Sequence, residues 1–439
     1  MPCLWLPRAD PESARPFFEA LRERGNSAPE QGASPEEQVR AILEAVRRDG
    51  LEAVLDYTRR FDAPDFRPEQ FAVSGQELAR AAEALPSEDR AALETAAANI
   101  RAFHSAQKEK SWFLTRRDGS VFGQMVLPVE RAGLYVPGGQ GGSTPLLSSL
   151  LMNAIPAQEA GVAEIALVSP PGRDGRLSGH ILAAAHLLGL REVYAAGGAW
   201  AVAALAHGAG SLRPVDVIAG PGNIFVATAK RLLLGRVGID MFAGPSEICV
   251  LADQGADPAW VAADMLSQAE HDVLAASVCL CLEEKTGLAV LKELERQCAL
   301  LPRQAVARES LRRFGAVLRV KGPEQALELA NAMAPEHLEL MAANPWELLP
   351  GVRHAGAVFL GYHAPEPLGD YVAGPNHVLP TMGTARFSSG LSVAVFCKKT
   401  SVLAPSQVFA RENAETAALL ARLEGLEGHA RSALLRRKP

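Results

Sequence analysis

The sequence predicts an α/β protein with two units built on parallel β-sheets. Its 439 residues are too many for one ordinary core. The first part of the chain, about 130 residues, has mostly helical patterning. From Gly133 onward, short apolar runs alternate with Gly-rich turns and Ala-rich helical stretches, which is typical of βαβ units.

The helical first part contains two strong start signals. Ser34 opens a Ser-x-x-Glu motif in front of apolar residues at helical spacing. A second helical run, SGQELARAAEALPSEDRAALETAAANIRAFHSAQ, begins at Ser74. We expect several helices here that complete the second of the two sheet units.

The strands and helices of the two units follow in order. In the first unit the predicted strands are GLYV, AEIALVS, EVYAA and VDVIA, separated by the helical runs SSLLMNAIPAQEAG, GHILAAAHLLGL and AWAVAALAHGAG, with IFVATAKRLLLG after the last strand. The second unit has the strand-like SEICVLAD, AASVCLCLEE and AGAVFLG with the helical PAWVAADMLSQAEHD and EQALELANAM. The charged helical tail ENAETAALLARLEGLEGHARSALLRRK is too short to fold alone, so it should dock on another surface.

Composition excludes several classes of function. The formal charge is -6 and the basic residues are scattered, which argues against nucleic acid as a partner. No run approaches the ~18 apolar residues of a membrane span, and the N-terminus lacks a signal-peptide pattern, so we expect no membrane association and a cytoplasmic location. The six cysteines show no paired framework and are expected to serve packing.

Two Gly-rich turns are candidates for ligand binding. GLYVPGGQGGSTP has four glycines within five positions, which allows a backbone to approach a phosphate closely at a helix start. The second turn, AGPGN, follows the predicted strand VDVI and ends in Asn223. Neither matches G-x-G-x-x-G, and each turn alone is also typical of a tight connection. Together they predict a ligand crevice at the carboxyl edge of one sheet.

Two Glu-His pairs are candidates for chemistry. In SQAEHD, Gln268 and His271 are three residues apart and would share a helix face, as metal ligands or as an exposed polar surface. In APEHLEL, the proline predicts the first turn of a helix. Glu336 would then complement the helix dipole, and His337 could be directed into a cleft as a general base.

Two further segments carry acid and histidine residues. The stretch at residues 368–390 mixes Asp370 and His377 with glycines and aromatic residues, which indicates a binding loop. Glu424 and His429 lie in EGLEGH, where a solvated tail is the simpler interpretation. The chain lacks H-E-x-x-H, C-x-x-C and G-x-S-x-G, which excludes zincins, redox dithiols and serine hydrolases. The residues therefore predict an α/β enzyme with a nucleotide-like crevice and a candidate His/Asp/Gln metal site.

The ordered motifs GLYVPGG, GPGN, DMFAGPSE, SQAEHD, APEHLEL, GDYVAGPNHVLPT, GTARFSSGLSV and EGLEGH resemble the histidinol dehydrogenase family over essentially the whole chain. The resemblance implies oxidation of L-histidinol through L-histidinal to L-histidine, the last steps of histidine biosynthesis, with two NAD and one zinc ion per subunit. It also implies two incomplete Rossmann-like domains, each a doubly wound parallel sheet, with small terminal segments that form helical domains exchanged in a homodimer.

The resemblance assigns roles to individual residues. Glu336 would activate water and His337 would be the general base. The implied zinc ligands are Gln268, His271, Asp370 and His429, the last supplied by the partner subunit. The implied substrate contacts are Ser246, Gln268, His271, His337, Asp370, His377, Glu424 and His429. For NAD the implied contacts are Tyr135 and Asn223.

One position departs from the family pattern. Trp200 stands in GGAWAVAAL where the family usually has a glutamine that contacts NAD. An indole can stack on a nicotinamide or adenine ring and donate one hydrogen bond, but it cannot replace both the donor and the acceptor of an amide. The dinucleotide should therefore be held differently at this position.

The resemblance also implies a domain organisation. Residues 34–134 with 245–391 would form the first α/β domain, which carries the zinc and catalytic residues, and residues 135–244 the NAD-binding domain. Residues 1–33 with 392–408 would form a small domain, and residues 409–439 an arm exchanged with the partner.

Two alternative functions use the same sequence features. A related zinc and NAD dehydrogenase could act on another small polar alcohol, such as a sulfonated diol. Glu424 and His377 favour a cationic amino alcohol with an imidazole instead. A dinucleotide-binding regulator with a degenerate site is disfavoured because Glu336, His337 and the four ligand positions are all intact.

Overall fold

Two parallel sheets and one antiparallel sheet organise the chain. The computed structural model describes residues 3–24, 34–138, 146–242 and 244–437. The strands in these residues are β1 (Leu4–Leu6), β2 (Trp112–Thr115), β3 (Val121–Pro128), β4 (Arg131–Tyr135), β5 (Glu164–Ser169), β6 (Glu192–Ala195), β7 (Val217–Ala219), β8 (Gly238–Ile239), β9 (Glu247–Ala252), β10 (Ala276–Cys281), β11 (Gly315–Arg319), β12 (His337–Met341), β13 (Ala357–Leu360) and β14 (Cys397–Ala404).

The helices cover both faces of the parallel sheets. They are α1 (Pro11–Glu23), α2 (Pro35–Asp49), α3 (Leu51–Phe61), α4 (Gly75–Ala84), α5 (Ser87–Ser105), α6 (Leu147–Ala160), α7 (Gly179–Leu187), α8 (Gly198–His207), α9 (Ile224–Leu233), α10 (Pro258–Ala269), α11 (Glu284–Cys298), α12 (Gln304–Phe314), α13 (Pro323–Met333), α14 (Pro345–Leu348), α15 (Glu366–Tyr371), α16 (Gln407–Leu423) and α17 (Glu427–Leu435). None of the helices in the described ranges is long and apolar enough to cross a membrane.

The two parallel sheets share one strand order. The six-stranded sheet runs β1-β11-β10-β9-β12-β13 and the five-stranded sheet β6-β5-β4-β7-β8. Apart from the extra edge strand β1, each places its first strand in the middle, the next two on one side and the last two on the other. This is the doubly wound, Rossmann-like arrangement, in which the chain reverses direction beside the first strand. The predicted fold class is confirmed.

Local signals explain how the helices begin. The Ser34 hydroxyl accepts a hydrogen bond from the Glu37 N–H, and the Glu37 carboxylate accepts one from the Ser34 N–H. This reciprocal pair satisfies two donors at the start of α2, as the motif predicted. Ser74 and Glu77 repeat the arrangement at α4. The described residues before Gly133 are mostly helical, as expected, and the strands β2 and β3 near the end of this part are exceptions.

The helices α2 to α5 pack on the five-stranded sheet unit. Helix α2 lies against α8 and α9, α4 against α7, and α5 against α6. The buried Val39, Val54 and Ile100 belong to one core with Leu134 and Leu167 of the sheet. This packing differs from the expected grouping of residues 34–134 with 245–391, because the apolar faces of these helices are buried against the other unit.

The N-terminal segment belongs to the six-stranded sheet. Strand β1 pairs in parallel with β11, and Phe18 and Leu21 of α1 share a core with Leu318 and Leu329. Strand β14 instead pairs antiparallel with β3 in the three-stranded sheet β14-β3-β2. The two segments expected to form one small domain, 1–33 and 392–408, therefore pair with different sheets.

Candidate active site

His337 opens strand β12, which lies between β9 and β13 in the six-stranded sheet. Its backbone lies in register with Ile248 of β9 and Ala357 of β13. The predicted helix start at APEHLEL is therefore wrong. Helix α13 ends at Met333, and the left-handed backbone of its C-cap Ala334 (φ 53°) turns the chain. A proline is accepted before a strand as well as in a helical first turn, and here pairing with two buried strands decides between them.

Glu247, the first residue of β9, holds both members of the Glu336-His337 pair. Its backbone N–H donates to the Glu336 carboxylate (2.9 Å), and its own carboxylate accepts the Glu336 N–H (3.3 Å). Its carbonyl accepts a hydrogen bond from His337 Nδ1 (2.9 Å). Arg24, at the end of α1, forms a buried ion pair with Glu247 (2.8 Å). The orientation of the pair is thus set from two distant segments.

This arrangement suits His337 as a base. Because Nδ1 donates to a carbonyl, Nε2 of the neutral ring carries the lone pair. Nε2 is buried and has no hydrogen-bond partner in the described ranges. Burial lowers the pKa of His337, against a smaller opposing effect of Glu366. The ring is therefore neutral and ready to accept a proton at neutral pH.

The pKa of Glu336 is shifted in the direction opposite to that of His337. The Glu336 side chain is buried, which raises its pKa well above the ordinary value, and the nearby charge of Glu247 adds to the effect. A carboxylate with a raised pKa binds a proton more strongly than an exposed one. Once a bound cation keeps its carboxylate ionised, Glu336 is suited to take a proton from water at the same site.

Two carboxylates lie close to His337 Nε2. The distance is 3.9 Å to Glu366 Oε1 and 3.8 Å to Asp370 Oδ1, and the three side chains form a group that could hold a metal ion. Both carboxylates come from α15. Burial and the neighbouring Glu366 raise the pKa of Asp370 to about 10, so a cation is needed to keep this group ionised.

Gln268, in the last turn of α10, supports a metal at this place. Its side chain is buried, and neither its Oε1 nor its Nε2 has a hydrogen-bond partner among the described residues. Leaving a buried amide unpaired costs about 1–3 kcal/mol per group, so the site is built for a ligand. Histidine nitrogen and carboxylate oxygen are donors that zinc prefers, and an amide oxygen is an uncommon addition to them.

Sequence reasoning missed a buried acidic cluster behind these ligands, formed by Asp264, Glu339 and Glu366. Ser267 Oγ donates to Glu366 Oε2 (3.0 Å), and the Glu366 N–H donates to Glu339 Oε1 (2.8 Å). Burial raises the pKa of Asp264 to about 7 and that of Glu339 strongly. Glu366 precedes Asp370 by one helical turn, a spacing that would have revealed it.

The remaining predicted residues of the main body lie around this centre. His377 Nδ1 donates to the Asp370 carbonyl (3.0 Å), and burial lowers the pKa of His377 to about 4. His271 lies in the turn after α10 rather than in the helix, with an exposed side chain. Its charge is near enough to contribute to lowering the pKa values of His337 and His377. Ser246 is half-buried directly before β9.

Glu424 and His429 lie outside this cluster. Glu424 ends α16 and His429 lies in the first turn of α17, and both side chains are exposed. Neither side chain has a hydrogen bond or ion pair within the described part of the chain. The two helices pack on each other and leave Leu419, Leu423 and Leu435 exposed. The arm thus exposes apolar side chains together with Glu424 and His429.

A separate cavity of about 440 Å³ lies at the carboxyl edge of the five-stranded sheet. Tyr135, the last residue of β4, and Asn223, the N-cap of α9, both line it. Gly220 makes the turn possible, because a Cβ there would lie 2.0 Å from the Tyr135 carbonyl oxygen. The predicted crevice between these strands is present, whereas the Gly-rich turn at residues 139–145 lies outside the described residues.

Trp200 lines this cavity, but its indole N–H is hydrogen-bonded to another residue of the protein. Its Nε1–H donates to Thr58 Oγ1 (3.1 Å). Its ring stacks on Phe61 with centroids 5.4 Å apart, and on Tyr57 with centroids 5.9 Å apart. The indole therefore exposes only an apolar edge to the cavity. Its single donor, which the sequence suggested for NAD, is already bonded to Thr58.

Comparison with known proteins relates the chain to one family. A family model described as histidinol dehydrogenase matches residues 26–437. The histidinol dehydrogenase of Nitratidesulfovibrio vulgaris is 61% identical over 412 residues, 94% of each chain, and that of Oleidesulfovibrio alaskensis is 57% identical over 434 residues, 98% of this chain and 99% of the relative. The crystal structure of histidinol dehydrogenase from Elizabethkingia anophelis has a TM-score of 0.90 at 34% identity, covering 99% of this chain and 98% of that one.

Proposed function

The chain belongs to the histidinol dehydrogenase family, and on this premise we propose that it oxidises L-histidinol through L-histidinal to L-histidine with two NAD and one zinc ion per subunit. Family membership makes it an NAD-dependent oxidoreductase of histidine biosynthesis. The observation that carries the detailed proposal is the buried His337 Nε2, unpartnered and within 4 Å of two carboxylates.

We propose that Gln268, His271 and Asp370 of one subunit hold the zinc ion with His429 of the other. The unpaired amide of Gln268 and the raised pKa of Asp370 support this donor set. When bound, zinc supplies a Lewis acid that can hold the amino and imidazole nitrogens of the substrate. Ser246, His377 and Glu424 would complete the substrate contacts.

The chain's own residues would act in two steps. In the first, His337 Nε2 takes the proton of the substrate alcohol, while Glu247 keeps the ring fixed through Nδ1. In the second, Glu336 takes a proton from a water molecule that attacks the aldehyde, forming the hydrate that is oxidised next. NAD in the cavity beside Tyr135 and Asn223 supplies the hydride acceptor.

The charge of the site favours a cationic substrate over a sulfonated diol. Asp264, Glu336, Glu339 and Glu366 are all buried beside the candidate ligands. When a bound cation keeps these carboxyl groups ionised, they repel an anionic sulfonate and attract an ammonium group.

The exposed arm supports a homodimer with exchanged C-termini. Leu423 is 75% exposed and Leu435 66% exposed in the single chain. Burial of a leucine side chain stabilises a protein by about 1.5–3 kcal/mol relative to leaving it in water. A partner surface that covers the arm would recover this energy and bring in Glu424 and His429.

The decisive experiment measures NADH formation by the purified protein with L-histidinol, other amino alcohols and sulfonated diols, with and without a chelator. We expect turnover of L-histidinol that produces two NADH per substrate and is lost on metal removal. Absence of histidinol turnover, or activity that survives thorough metal removal, would reject the proposal.

A further inference from the structure

Asp62 is an unassigned carboxylate at the edge of the dinucleotide cavity. It follows the last residue of α3 and lines the cavity together with Phe61, Tyr135 and Trp200. Its Oδ2 is buried and has no hydrogen-bond partner in the described ranges. Burial raises the pKa of Asp62 to about 7. A buried acceptor beside a cavity and without a partner is expected to bind a group that enters the cavity.

The position of Asp62 in the sheet unit identifies that group. A Cβ added to Gly197 would lie 3.1 Å from Asp62 Oδ2 and 2.5 Å from the Pro170 Cβ. Pro170 follows β5 and Gly197 follows β6, so the carboxylate lies beside the carboxyl ends of these strands. In Rossmann-like units, the acidic residue that hydrogen-bonds the ribose 2′-hydroxyl of NAD belongs to this region, after the second strand.

The sheet itself does not provide that acid. The second strand of the unit, β5, is followed by Pro170, Pro171 and Gly172. The next acid, Asp174, is exposed and its Oδ1 accepts the N–H of Arg176 within its own turn. Asp62 thus supplies, from a helix outside the sheet, the carboxylate that the strand end lacks.

Phe61 strengthens the assignment. Its side chain is 56% exposed and lines the same cavity, next to Asp62. The ring stacks with Trp200 and Tyr57, and the Arg60 guanidinium lies 5.0 Å from its centroid, so its exposed part offers a base an aromatic edge beside a cation. Adjacent residues would then contact adjacent parts of one nucleoside.

We propose that the Asp62 carboxylate accepts a hydrogen bond from the 2′-hydroxyl of the adenosine ribose of NAD and thereby excludes NADP. This inference rests on the proposed function, since it requires NAD to occupy the cavity. A 2′-phosphate would place negative charge against a buried carboxylate that has no cationic partner among the described residues.

The test is direct binding measured by isothermal titration calorimetry on the full-length dimer. The ligands are NAD, NADP and an NAD analogue with 2′-deoxyadenosine, and the proteins are wild type, Asp62→Asn and Asp65→Asn. Asp65 is a matched control, because it is an exposed acid in the same segment. Melting temperatures of the three proteins report folding.

We expect wild type to bind NAD about 10- to 100-fold more tightly than the 2′-deoxy analogue, the range for a hydrogen bond to a charged group. Asp62→Asn should bind NAD that much more weakly and lose most of the preference over NADP, whereas Asp65→Asn should match wild type. The deoxy analogue tests wild type itself, so the result stands even if a variant misfolds.

Failure of the inference about Asp62 can be distinguished from failure of the proposed function. If wild type oxidises L-histidinol with NAD but binds NAD and the deoxy analogue equally, the role of Asp62 is wrong and the proposed function stands. If wild type neither binds nor reduces NAD, the proposed function fails and this inference fails with it.

Discussion

Pairing two inactive variants in one dimer tests whether the arm is exchanged. His337→Asn removes the proposed base from the body of a subunit, and His429→Asn removes the proposed zinc ligand from the arm. Each homodimer should be almost inactive, because every site lacks one of the two groups. In a mixed dimer with exchanged arms, the body with intact His337 receives the arm with intact His429, while the other site carries both changes.

The expected activity of the mixed dimer follows from counting sites. One of two sites is intact, so the specific activity should be about half that of wild type, given independent sites in a symmetric dimer. Without exchange, each site retains one substitution and activity stays near that of the homodimers. Co-expression with two affinity tags and sequential purification isolates the mixed dimer for an NADH assay.

A matched control is a mixed dimer in which each subunit carries one substitution, and both substitutions lie in the body rather than in the arm. His337→Asn combined with Glu336→Gln leaves a substitution in every site whether or not the arms are exchanged, so no recovery is expected. If the His337→Asn/His429→Asn dimer shows no more activity than its parents, the arm completes its own subunit's site and the exchange is rejected.

Further predictions concern the base, its support, the metal and pH. His337→Asn should lower kcat about 10²- to 10⁴-fold with little change in substrate binding, measured by steady-state kinetics and calorimetry, and an unchanged kcat would reject its role as base. Glu247→Gln leaves Arg24 buried without its counter-charge, so the free energy of unfolding by denaturant should fall by about 3–5 kcal/mol, and a difference under 1 kcal/mol would show that the pair is unimportant. A chelator should lower the melting temperature of wild type, because Gln268 and the buried carboxylates lose their cation, but should have little effect on Asp370→Asn. The pKa of Asp62 is raised to about 7 in the folded protein, so its protonated form favours folding and its contribution to stability is lost as pH rises from about 4 to 7. Asp62→Asn should therefore lose less stability than wild type over that range, and identical pH profiles would contradict the raised pKa.

Short-range signals in the sequence predicted the fold well. The Ser34 capping box, the fully buried strand Ala276–Cys281 and the turn that ends in Asn223 all depend on neighbours within a few residues. The helix predicted at Glu336 failed because a proline followed by polar and apolar residues suits a helix start as well as a buried strand. Only pairing with β9 and β13, which lie far away in the chain, separates the two.

The support of the site could not be predicted from the sequence. Arg24 contacts Glu247 from 223 residues away, and Glu247 contacts Glu336 from 89 residues away. Neither the periodicity of apolar residues nor the spacing of motifs in the sequence predicts contacts between such distant residues. Asp62 was equally hidden, because its segment reads only as the end of an amphipathic helix. The predicted site residues were recognisable from their family motifs, whereas the residues that orient them appear only after folding.

The two sheets share a strand order, but the candidate residues lie at the carboxyl edge of one sheet and at the amino edge of the other. Tyr135 ends β4 and Asn223 follows β7 at the carboxyl edge of the five-stranded sheet, where doubly wound folds ordinarily bind ligands. The Glu336-His337 pair lies at the amino ends of β9 and β12 in the six-stranded sheet.

The chain itself fills the carboxyl edge of the six-stranded sheet at the corresponding point. There the carboxylate of Asp253, which follows β9, accepts hydrogen bonds from the Tyr362 hydroxyl (2.9 Å) and the Ala343 N–H (2.9 Å). The loop after α15 instead reaches the other unit, since Asn376 Nδ2 donates to the Met152 carbonyl (2.6 Å). The loop after α15 thus connects the unit that carries the Glu336-His337 pair to the unit that carries the cavity beside Tyr135.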